Sequence, residues 1–336
     1  MIDYISGFLP CKHDPSKLIS GMVMSFDKLG NQEWVCNKKL SVDGSHSSKI
    51  QLQSHTENLI YFTGNPVKFL QGHNLFGTND IRHLMRLFFD ELLTDKHKAL
   101  GLCPDPFQYD LIQDGHYELT RVDINESWHL NNSREVQAWI RAVGETAYLK
   151  HRGAGQFSGD TAYFGKNSRR WGLKCYSKGN EIKAKDHKLP PELCIPEMLE
   201  YADKSLRIEA FIRQLELKRR DLHILSNWDI DTPTELLLEC ISKLELSDVY
   251  MLDESVLDTL PPRLRMTYNA WLNGEDLKSI YTQRTFYRVR KEMEKYGIDI
   301  STKSPKEKNN VIPLIRVLEA KPVGIPDWAY EKGLVA

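Results

Sequence analysis

The chain has 336 residues, of which 41% are hydrophobic and 27% charged, and its formal net charge is −1 at pH 7. This composition is typical of a soluble globular protein with room for two or three modules. No apolar run approaches the roughly 18 residues that a membrane span needs, and the first residues lack the pattern of a signal peptide. We therefore expect a cytoplasmic protein without a membrane partner.

Charge is distributed unevenly along the chain. Residues 141–190 carry 11 Lys and Arg against 4 Asp and Glu, residues 261–310 carry 11 against 6, and residues 231–260 carry 1 against 8. Two basic blocks around an acidic stretch suit a protein that contacts a polyanion at two places, although solvated surface faces give the same pattern. The six cysteines are scattered without a CxxC pair, which favours free thiols over a zinc site or a disulfide framework.

The first 65 residues are predicted to be rich in β-strand and to end in a Gly-Asn-Pro turn. Asn79 and Asp80 can cap a helix, since apolar residues recur at helical spacing over 81–92. A strand is predicted at about 116–124. It is followed by a helix over 132–143, in which Ser133 can act as the cap.

Three further strands are predicted at 160–164, 170–177 and 205–213, and residues 214–300 are predicted to be mostly helical. This order indicates an α+β fold, with helices packed on a largely antiparallel sheet. We divide the chain into a sheet domain over 1–215, a helical region over 216–300 and a tail over 301–336 that packs back.

Three short segments on the predicted strands carry groups suited to phosphodiester chemistry. Side chains two apart on a strand point the same way, so Arg121 and Asp123 share a face, as do Arg207 and Glu209. Two carboxylates can bind Mg²⁺ or Mn²⁺, and two guanidinium groups can hold phosphate oxygens. The alternative is that these residues form ordinary ion pairs on an exposed sheet face.

The third segment carries Tyr176 between Lys174 and Lys178. A phenol has a pKa of about 10, but nearby cations or a metal favour the phenolate, which can attack phosphorus. Most strand tyrosines serve only in packing. Glu181 can orient Lys178 or join the metal shell, and His73, in a predicted turn, is a further candidate ligand.

The second basic block has a different character. Residues 264–273 and 275–281 are predicted as short helices, and Thr285 can cap a basic helix that ends near residue 296. A short helix, a turn and a basic helix are typical of helix-turn-helix geometry, whose second helix enters the DNA major groove. A plain helical hairpin with a solvated basic face gives the same pattern. The candidate DNA-binding side chains on this helix are Arg284, Arg288 and Arg290.

Several strings along the chain resemble those of the replication initiators of filamentous bacteriophages, the gene II protein family. The more specific strings are KFLQGHNLFGT at 68–78 and NNVIPLIR at 309–316. Shorter matches in the same order are MID at 1–3, RVD at 121–123, Tyr176-x-Lys178-x-x-Glu181, LEYA at 199–202, RIEA at 207–210 and PDW at 326–328. The string TAYFG at 161–165, with the later motifs, is also similar to initiators of small rolling-circle plasmids.

The resemblance implies a metal-dependent nickase and ligase related to HUH endonucleases. Such an enzyme cuts one strand at the double-stranded phage origin, stays on the 5′ phosphate through tyrosine, and rejoins the displaced strand. The matching positions make Tyr176 the nucleophile, with Lys178 beside it. With this nucleophile, the strand acids Asp123 and Glu209 are the expected metal ligands, with His73 added by analogy with a metal histidine. Arg121, Lys174 and Arg207 are expected to hold the DNA.

The chain departs from the HUH pattern in one respect, because it contains no His-hydrophobic-His triplet. The third metal ligand is therefore open. The implied partners are origin DNA, the displaced single strand, a host helicase and the replication machinery, in the cytoplasm of a bacterial host. The family also makes a shorter product from an internal start, for which Met251 is the candidate.

Two other functions share part of this pattern. A non-enzymatic origin-binding or regulatory protein would use the basic helices and keep the sheet as a scaffold. A plasmid mobilisation relaxase would share the chemistry but act at a transfer origin.

Overall fold

The computed structural model describes residues 1–185, 187–246, 250–252, 260–272, 275–296, 298, 300–301, 311–313, 317–318 and 320–335. The strands of this part of the chain are β1 (Ile2–Pro10), β2 (Ile19–Phe26), β3 (Gln32–Asp43), β4 (Lys49–Thr56), β5 (Leu59–Gly64), β6 (Leu119–His129), β7 (Tyr148–Leu149), β8 (Gly153–Ala154), β9 (Gln156–Ser158), β10 (Thr161–Phe164), β11 (Trp171–Ser177), β12 (Ser205–Arg213), β13 (Leu244–Glu245), β14 (Tyr250–Leu252) and β15 (Val311–Pro313).

Ten of these strands form one sheet in the order β2-β3-β4-β5-β1-β6-β12-β11-β10-β9. Every pairing in that sheet is antiparallel. The short strands β7, β8 and β13 make a second sheet, and β14 pairs with β15. The predicted α+β fold with a largely antiparallel sheet is therefore confirmed.

The helices pack around this sheet. They are α1 (Pro66–Gln71), α2 (Ile81–Leu92), α3 (Pro106–Gln113), α4 (Ser133–Thr146), α5 (Lys178–Glu181), α6 (Pro196–Lys204), α7 (Gln214–Arg219), α8 (Thr232–Ser242), α9 (Pro262–Leu272), α10 (Leu277–Ile280), α11 (Gln283–Glu294) and α12 (Asp327–Glu331).

The central strands have one apolar and one polar face. Val122 and Ile124 of β6, Ile208 of β12, and Leu173 and Cys175 of β11 are fully buried in the main core. Helices α4 and α8 pack on this apolar side of the sheet. Because strand side chains alternate, the intervening residues are directed to the opposite face, which is unusually rich in charged groups.

Several predicted element ends differ from those observed. Helix α2 has Asp80 as its cap, as predicted, with the His83 amide donating to its carboxylate. Helix α4 is capped by Asn132 and not by Ser133, because the Asn132 side chain accepts from two helix amides. Strand β6 continues to His129, beyond the predicted end at residue 124, since it pairs with β12 along that length.

The C-terminal region is helical, as predicted. Helices α9, α10 and α11 pack on a small core of their own, which contains Leu264, Leu277, Phe286 and Met293. Helix α11 begins at Gln283 because the Thr282 hydroxyl accepts from the Thr285 amide, so Thr282 and not Thr285 is the cap.

The end of the chain contacts the sheet domain. The Val323 amide donates to the Ser127 carbonyl at 2.7 Å, and the Trp128 indole donates to the Ala320 carbonyl at 3.0 Å. The limits assigned to the three domains stay a prediction. None of the helices in the described ranges has the length and apolar character needed to cross a membrane.

Candidate active site

The charged face of the sheet is built where β6, β12 and β11 lie side by side. In the pairing of β12 with its neighbours, Glu209 stands opposite Asn125 on one side and Lys174 on the other. Arg207 of β12 stands opposite Tyr176 of β11. The register thus gathers most of the predicted site residues on one face.

Tyr176 lies against one of the two predicted metal-binding acids. Its hydroxyl donates to Glu209 Oε2 at 3.2 Å, and its side chain is 6% exposed. Burial, helped by the charges of Glu181 and Glu209, raises the pKa of the Tyr176 phenol well above its usual value. The phenol is therefore protonated, and Glu209 is the group placed to accept its proton.

Tyr176 borders a cavity of about 300 Å³. Tyr176 and Lys174 line it together with Thr161 and Tyr163 of β10 and residues of α5. The tyrosine is thus packed on the sheet while it borders open space, which is the position that a nucleophile needs.

Both acids already have cationic partners. Arg121 donates to both oxygens of Asp123, at 2.7 and 2.6 Å. Lys174 Nζ lies 2.7 Å from Glu209 Oε1 and forms an ion pair with it. The ion pair that was the alternative to metal binding is therefore present between Arg121 and Asp123. Glu209, however, pairs with Lys174 and not with Arg207.

The acids of the site also lie close enough to raise one another's pKa. Burial raises the pKa of the Asp123 carboxyl despite Arg121. Burial also raises the pKa of Glu209 to about 8; the charge of Lys174 opposes this shift, and the charges of Asp3 and Asp123 add to it. Crowded carboxylates of this kind gain from a bound cation.

The carboxylate oxygens of Asp123 and Glu209 are suitable ligands for Mg²⁺ or Mn²⁺, but alone they do not fill the coordination shell of the cation. Within the described ranges, no three His, Cys, Asp or Glu side chains converge as a metal-ligand group. Asp123 and Glu209 are therefore the two side chains expected to bind the cation. A Mg²⁺ site commonly uses one or two carboxylates and completes its shell with water and substrate phosphate, so the pair fits.

Lys178 is the first residue of α5 and is buried. Its Nζ donates to Asn74 Oδ1 at 2.8 Å and to Glu181 Oε2 at 2.5 Å. Burial lowers the pKa of Lys178 to about 8, although the charge of Glu181 acts in the opposite direction. Glu181 therefore orients Lys178, which is one of the two roles expected for it.

Arg207 makes its contacts within the fold. Its side chain is 1% exposed and donates to the carbonyls of Asn74 and Leu75, at 2.6 and 2.8 Å, and to Ser127 Oγ at 3.2 Å. These contacts hold the loop after α1 against the sheet. Arg207 thus has a structural role in this fold, and its predicted contact with DNA stays a prediction.

His73 is likewise used within the fold. One ring nitrogen accepts from the Leu75 amide at 3.2 Å, and the other donates to the Leu334 carbonyl at 2.9 Å. Burial lowers the pKa of His73 to about 4, so its ring is neutral. Both nitrogens are thus used within the fold, and the assignment of His73 as a metal ligand stays a prediction.

Two family models match the chain in succession. The model of the N-terminal region of the phage replication-associated protein of gene II matches residues 1–231, and that of the C-terminal region of the same protein matches residues 251–335. The chain belongs to the gene II replication-associated protein family. It is also 36% identical over 335 residues to the replication-associated protein of the same type from Enterobacteria phage I2-2, covering 97% of this chain and 95% of that relative. The family resemblance predicted from the sequence is thus confirmed.

The two family models divide the predicted functional residues. The polar face of the sheet lies in the N-terminal match, whereas helix α11 lies in the C-terminal match. On α11, Phe286, Val289 and Met293 are buried, while Arg284 and Arg288 are exposed. Arg290 forms an ion pair with Glu294 at 3.1 Å.

Sequence reasoning missed Asp3 and Asn74. A bulge in the pairing of β1 with β6 falls between Ile2 and Tyr4, and it re-aims the Asp3 carboxylate to the polar face. There Asp3 accepts from the amides of Asn65 and Asn74, at 2.5 and 2.8 Å. Asp3 thus fixes Asn74, which in turn accepts from Lys178. Both residues lie in strings that carry the family resemblance, which was the available signal.

Proposed function

We propose that this protein initiates replication of a filamentous phage by nicking one strand of its double-stranded origin. The observation that carries the proposal is the Tyr176 hydroxyl, 3.2 Å from a buried carboxylate, on a residue that lines a cavity, in a chain of the gene II protein family. The reaction would take place in the cytoplasm of the bacterial host, with a host helicase and the replication machinery as further partners.

In the proposed step, the Tyr176 oxygen forms a bond to the origin phosphorus and the P–O3′ bond breaks. The phenol proton passes to Glu209 Oε2, and the leaving 3′ oxygen takes a proton from water. The product is a 5′-phosphotyrosine and a free 3′ hydroxyl, which primes synthesis. Attack of a 3′ hydroxyl on the phosphotyrosine reverses the step and rejoins the displaced strand.

The charged neighbours have separate roles in this proposal. Lys174, whose Nζ lies 5.1 Å from the centre of the Tyr176 ring, and Lys178, two residues after Tyr176, are assigned to stabilise the negative charge that develops on the phosphate. A divalent cation, when bound to Asp123 and Glu209, would offset charge on the phosphate oxygens. Arg121 holds Asp123 in place and, being partly exposed, can also contact the DNA strand.

The direct test uses supercoiled plasmid carrying the phage origin, with Mg²⁺ or Mn²⁺. We expect relaxed circles and protein covalently attached to the 5′ end of the nick. Binding without relaxation or attachment would instead favour the non-enzymatic origin-binding protein. Equal cleavage of a plasmid transfer origin would favour the relaxase.

Lys178 gives the reaction a dependence on pH. Its lowered pKa means that the ammonium is charged below about pH 8 and loses its proton as the pH rises through that value. Glu209, whose pKa is raised to about 8, must lose its proton before it can accept the phenol proton, so we expect the single-turnover nicking rate to rise as the pH approaches 8 and to fall above it as Lys178 loses its charge. Lys178→Arg should keep the rise but lose the fall, because guanidinium stays charged.

Lys178→Met should lower the nicking rate roughly 10²- to 10³-fold, as for the loss of one donor to a transition-state oxyanion. Lys183→Met is the matched control, since Lys183 is an exposed lysine five residues along the chain that pairs with Asp203. A pH profile of Lys178→Arg that coincides with that of the unaltered protein would contradict the role of Lys178.

The second DNA contact is assigned to α11, whose Arg284 and Arg288 face solvent. Replacing both with alanine should weaken binding to origin duplex and reduce the slope of log K against log salt by about one for each phosphate that the variant no longer neutralises. The control replaces Lys96 and Lys98, two exposed lysines outside this helix. An unchanged salt slope, measured by fluorescence anisotropy, would exclude α11 from the interface.

The shorter product that is expected from an internal start corresponds to the C-terminal family match. The C-terminal family match begins at residue 251, where Met251 is the predicted internal start. A product from Met251 would contain α9 to α11 without the sheet. It would therefore bind duplex DNA but lack the nicking site.

A further inference from the structure

The last described residues of the chain, 320–335, pack against the loop that follows α1. We call them the C-terminal segment, and we call residues 73–76 the site loop. Both contribute to one apolar cluster, in which Ala329 is fully buried. The indole of Trp328 on α12 meets the Phe76 ring in a T-shaped contact, with ring centroids 5.5 Å apart. The segment thus belongs to the core around this loop, although in sequence it lies in the C-terminal family match.

Polar contacts hold the segment near both of its ends. Near its start, the Val323 amide donates to the Ser127 carbonyl of β6 at 2.7 Å. Near its end, the Leu334 carbonyl accepts from the His73 ring at 2.9 Å. Because His73 is buried, breaking this bond would leave a buried polar group without a partner, which is unfavourable. The segment therefore restrains the first residue of the site loop.

The site loop also contacts the active site. Asn74 Oδ1 accepts from Lys178 Nζ at 2.8 Å, and Arg207 donates to the carbonyls of Asn74 and Leu75. Lys178 is buried, and its ammonium group is held by Asn74 and Glu181. A continuous set of contacts thus runs from the C-terminal segment through the site loop to this lysine.

We propose that the C-terminal segment is a positioning element of the active site, which holds the site loop so that Asn74 fixes the Lys178 ammonium. The sheet restrains the loop through Arg207, whereas the segment restrains it through His73 and Phe76. The inference rests on the proposed function, since Lys178 acts in that reaction. It also means that nicking needs residues of both family matches, and not the sheet domain alone.

The test compares two aromatic residues of α12 in the full chain. Trp328→Ala removes the ring that contacts Phe76, and it should lower the single-turnover nicking rate on supercoiled origin plasmid roughly 10- to 10²-fold, as a misplacement of about 1 Å can do. Its Kd for origin duplex should stay unchanged, because α11 is not altered. Trp328→Phe keeps an aromatic ring and should recover most of the rate.

Tyr330→Ala is the matched control, since Tyr330 lies two residues further along the same helix and is 58% exposed. Its nicking rate and its Kd should both stay normal. All assays are run below the Tm of each variant. If Trp328→Ala melts too low, Leu334→Ala takes its place, because it is a smaller truncation in the same cluster.

Lysine acetylation gives a second measurement that does not depend on nicking. Lys178 is buried, so it should be protected from acetic anhydride in the unaltered protein and in Tyr330→Ala. In Trp328→Ala the loosened site loop should admit the reagent, and mass spectrometry should detect faster acetylation of Lys178. Lys183, which is exposed, should react equally in all three proteins and serves as the internal reference.

A double-mutant cycle with Asn74→Ala separates positioning from a general loss of stability. If the segment acts through Asn74, adding Trp328→Ala to Asn74→Ala should lower the nicking rate little further, whereas independent effects on the rate would multiply.

The outcomes separate this inference from the proposed function. Normal nicking by Trp328→Ala, with Lys178 still protected, would overturn the role of the segment and leave the proposed function standing. Multiplying effects in the cycle, or a slower rate with Lys178 still protected, would also overturn it, because Trp328 would then serve stability alone. Failure of the unaltered protein to nick origin plasmid would overturn the proposed function and, with it, the role of the segment in nicking.

Discussion

Tyr176→Phe should retain origin binding and lose nicking. The substitution removes the one oxygen that becomes bonded to phosphorus, and we expect the rate to fall roughly 10⁴-fold or more, as for other nucleophile deletions. The fold should be almost unaffected, because the ring remains in place and only the hydrogen bond to Glu209 is removed, at a cost of about 1 kcal/mol. Relaxation of supercoiled origin plasmid and the covalent 5′ adduct are the two measurements.

Tyr163→Phe is the matched control for this variant. Tyr163 lies on the neighbouring strand β10 opposite Lys174 and lines the same cavity, but its hydroxyl is not assigned to the chemistry. Nicking by Tyr163→Phe should be close to normal. A covalent adduct formed by Tyr176→Phe would mean that another residue attacks the phosphate, and the assignment of Tyr176 would be wrong.

The alternation of side chains along single strands could be predicted from the sequence. Strand β12 is predicted at 205–213, which is where it lies. Arg207 and Glu209 share a face of the sheet with Lys174 and Tyr176 of the neighbouring strand β11. This succeeded because the opposite face of each strand is continuously apolar. The period of two is a local property and needs no knowledge of the partner strand.

Partners across the sheet could not be predicted, because register is a long-range property. Glu209 pairs with Lys174, 35 positions away, and not with the nearby Arg207. The Arg207 guanidinium is taken by carbonyls of the loop after α1, and the His73 ring by the carbonyl of Leu334 near the end of the chain. Each of these contacts depends on how distant segments meet.

Local departures from ideal geometry were also beyond the sequence. The bulge in β1 turns Asp3 and Tyr4 to the same side, whereas simple alternation would place Asp3 with the apolar residue Ile5. The segment at 67–70, which carries little helical pattern, is helical because Asn65 caps it and Pro66 begins it. By contrast, the position of Asn125 on the polar face could be predicted, because it lies two residues after Asp123 on the same strand, as Asp123 does after Arg121.

Glu209→Gln should cause the second large loss of activity. Gln keeps the shape of the side chain but is a poor proton acceptor and a weaker ligand for a cation. It also leaves Lys174 without its anionic partner in a largely buried position. We expect a decrease in the single-turnover nicking rate of roughly 10²- to 10⁴-fold, the range for loss of a general base. Asp123→Asn should act mainly through metal affinity, since Asp123 has no contact with the phenol among the described bonds.

Two measurements distinguish the roles of Glu209. If it serves both as proton acceptor and as metal ligand, Glu209→Gln loses nicking and Mn²⁺ affinity together, whereas a proton acceptor alone would leave Mn²⁺ affinity intact. Glu216→Gln is the control, because Glu216 is an equally buried acid whose partners are Arg219 and Arg220 in α7 and just beyond it. The Glu216→Gln variant should be less stable than the unaltered protein, but its nicking rate should stay near normal. Full nicking by the unaltered protein in EDTA would contradict the cation, and the acids would then serve the phenol and its neighbouring lysines alone.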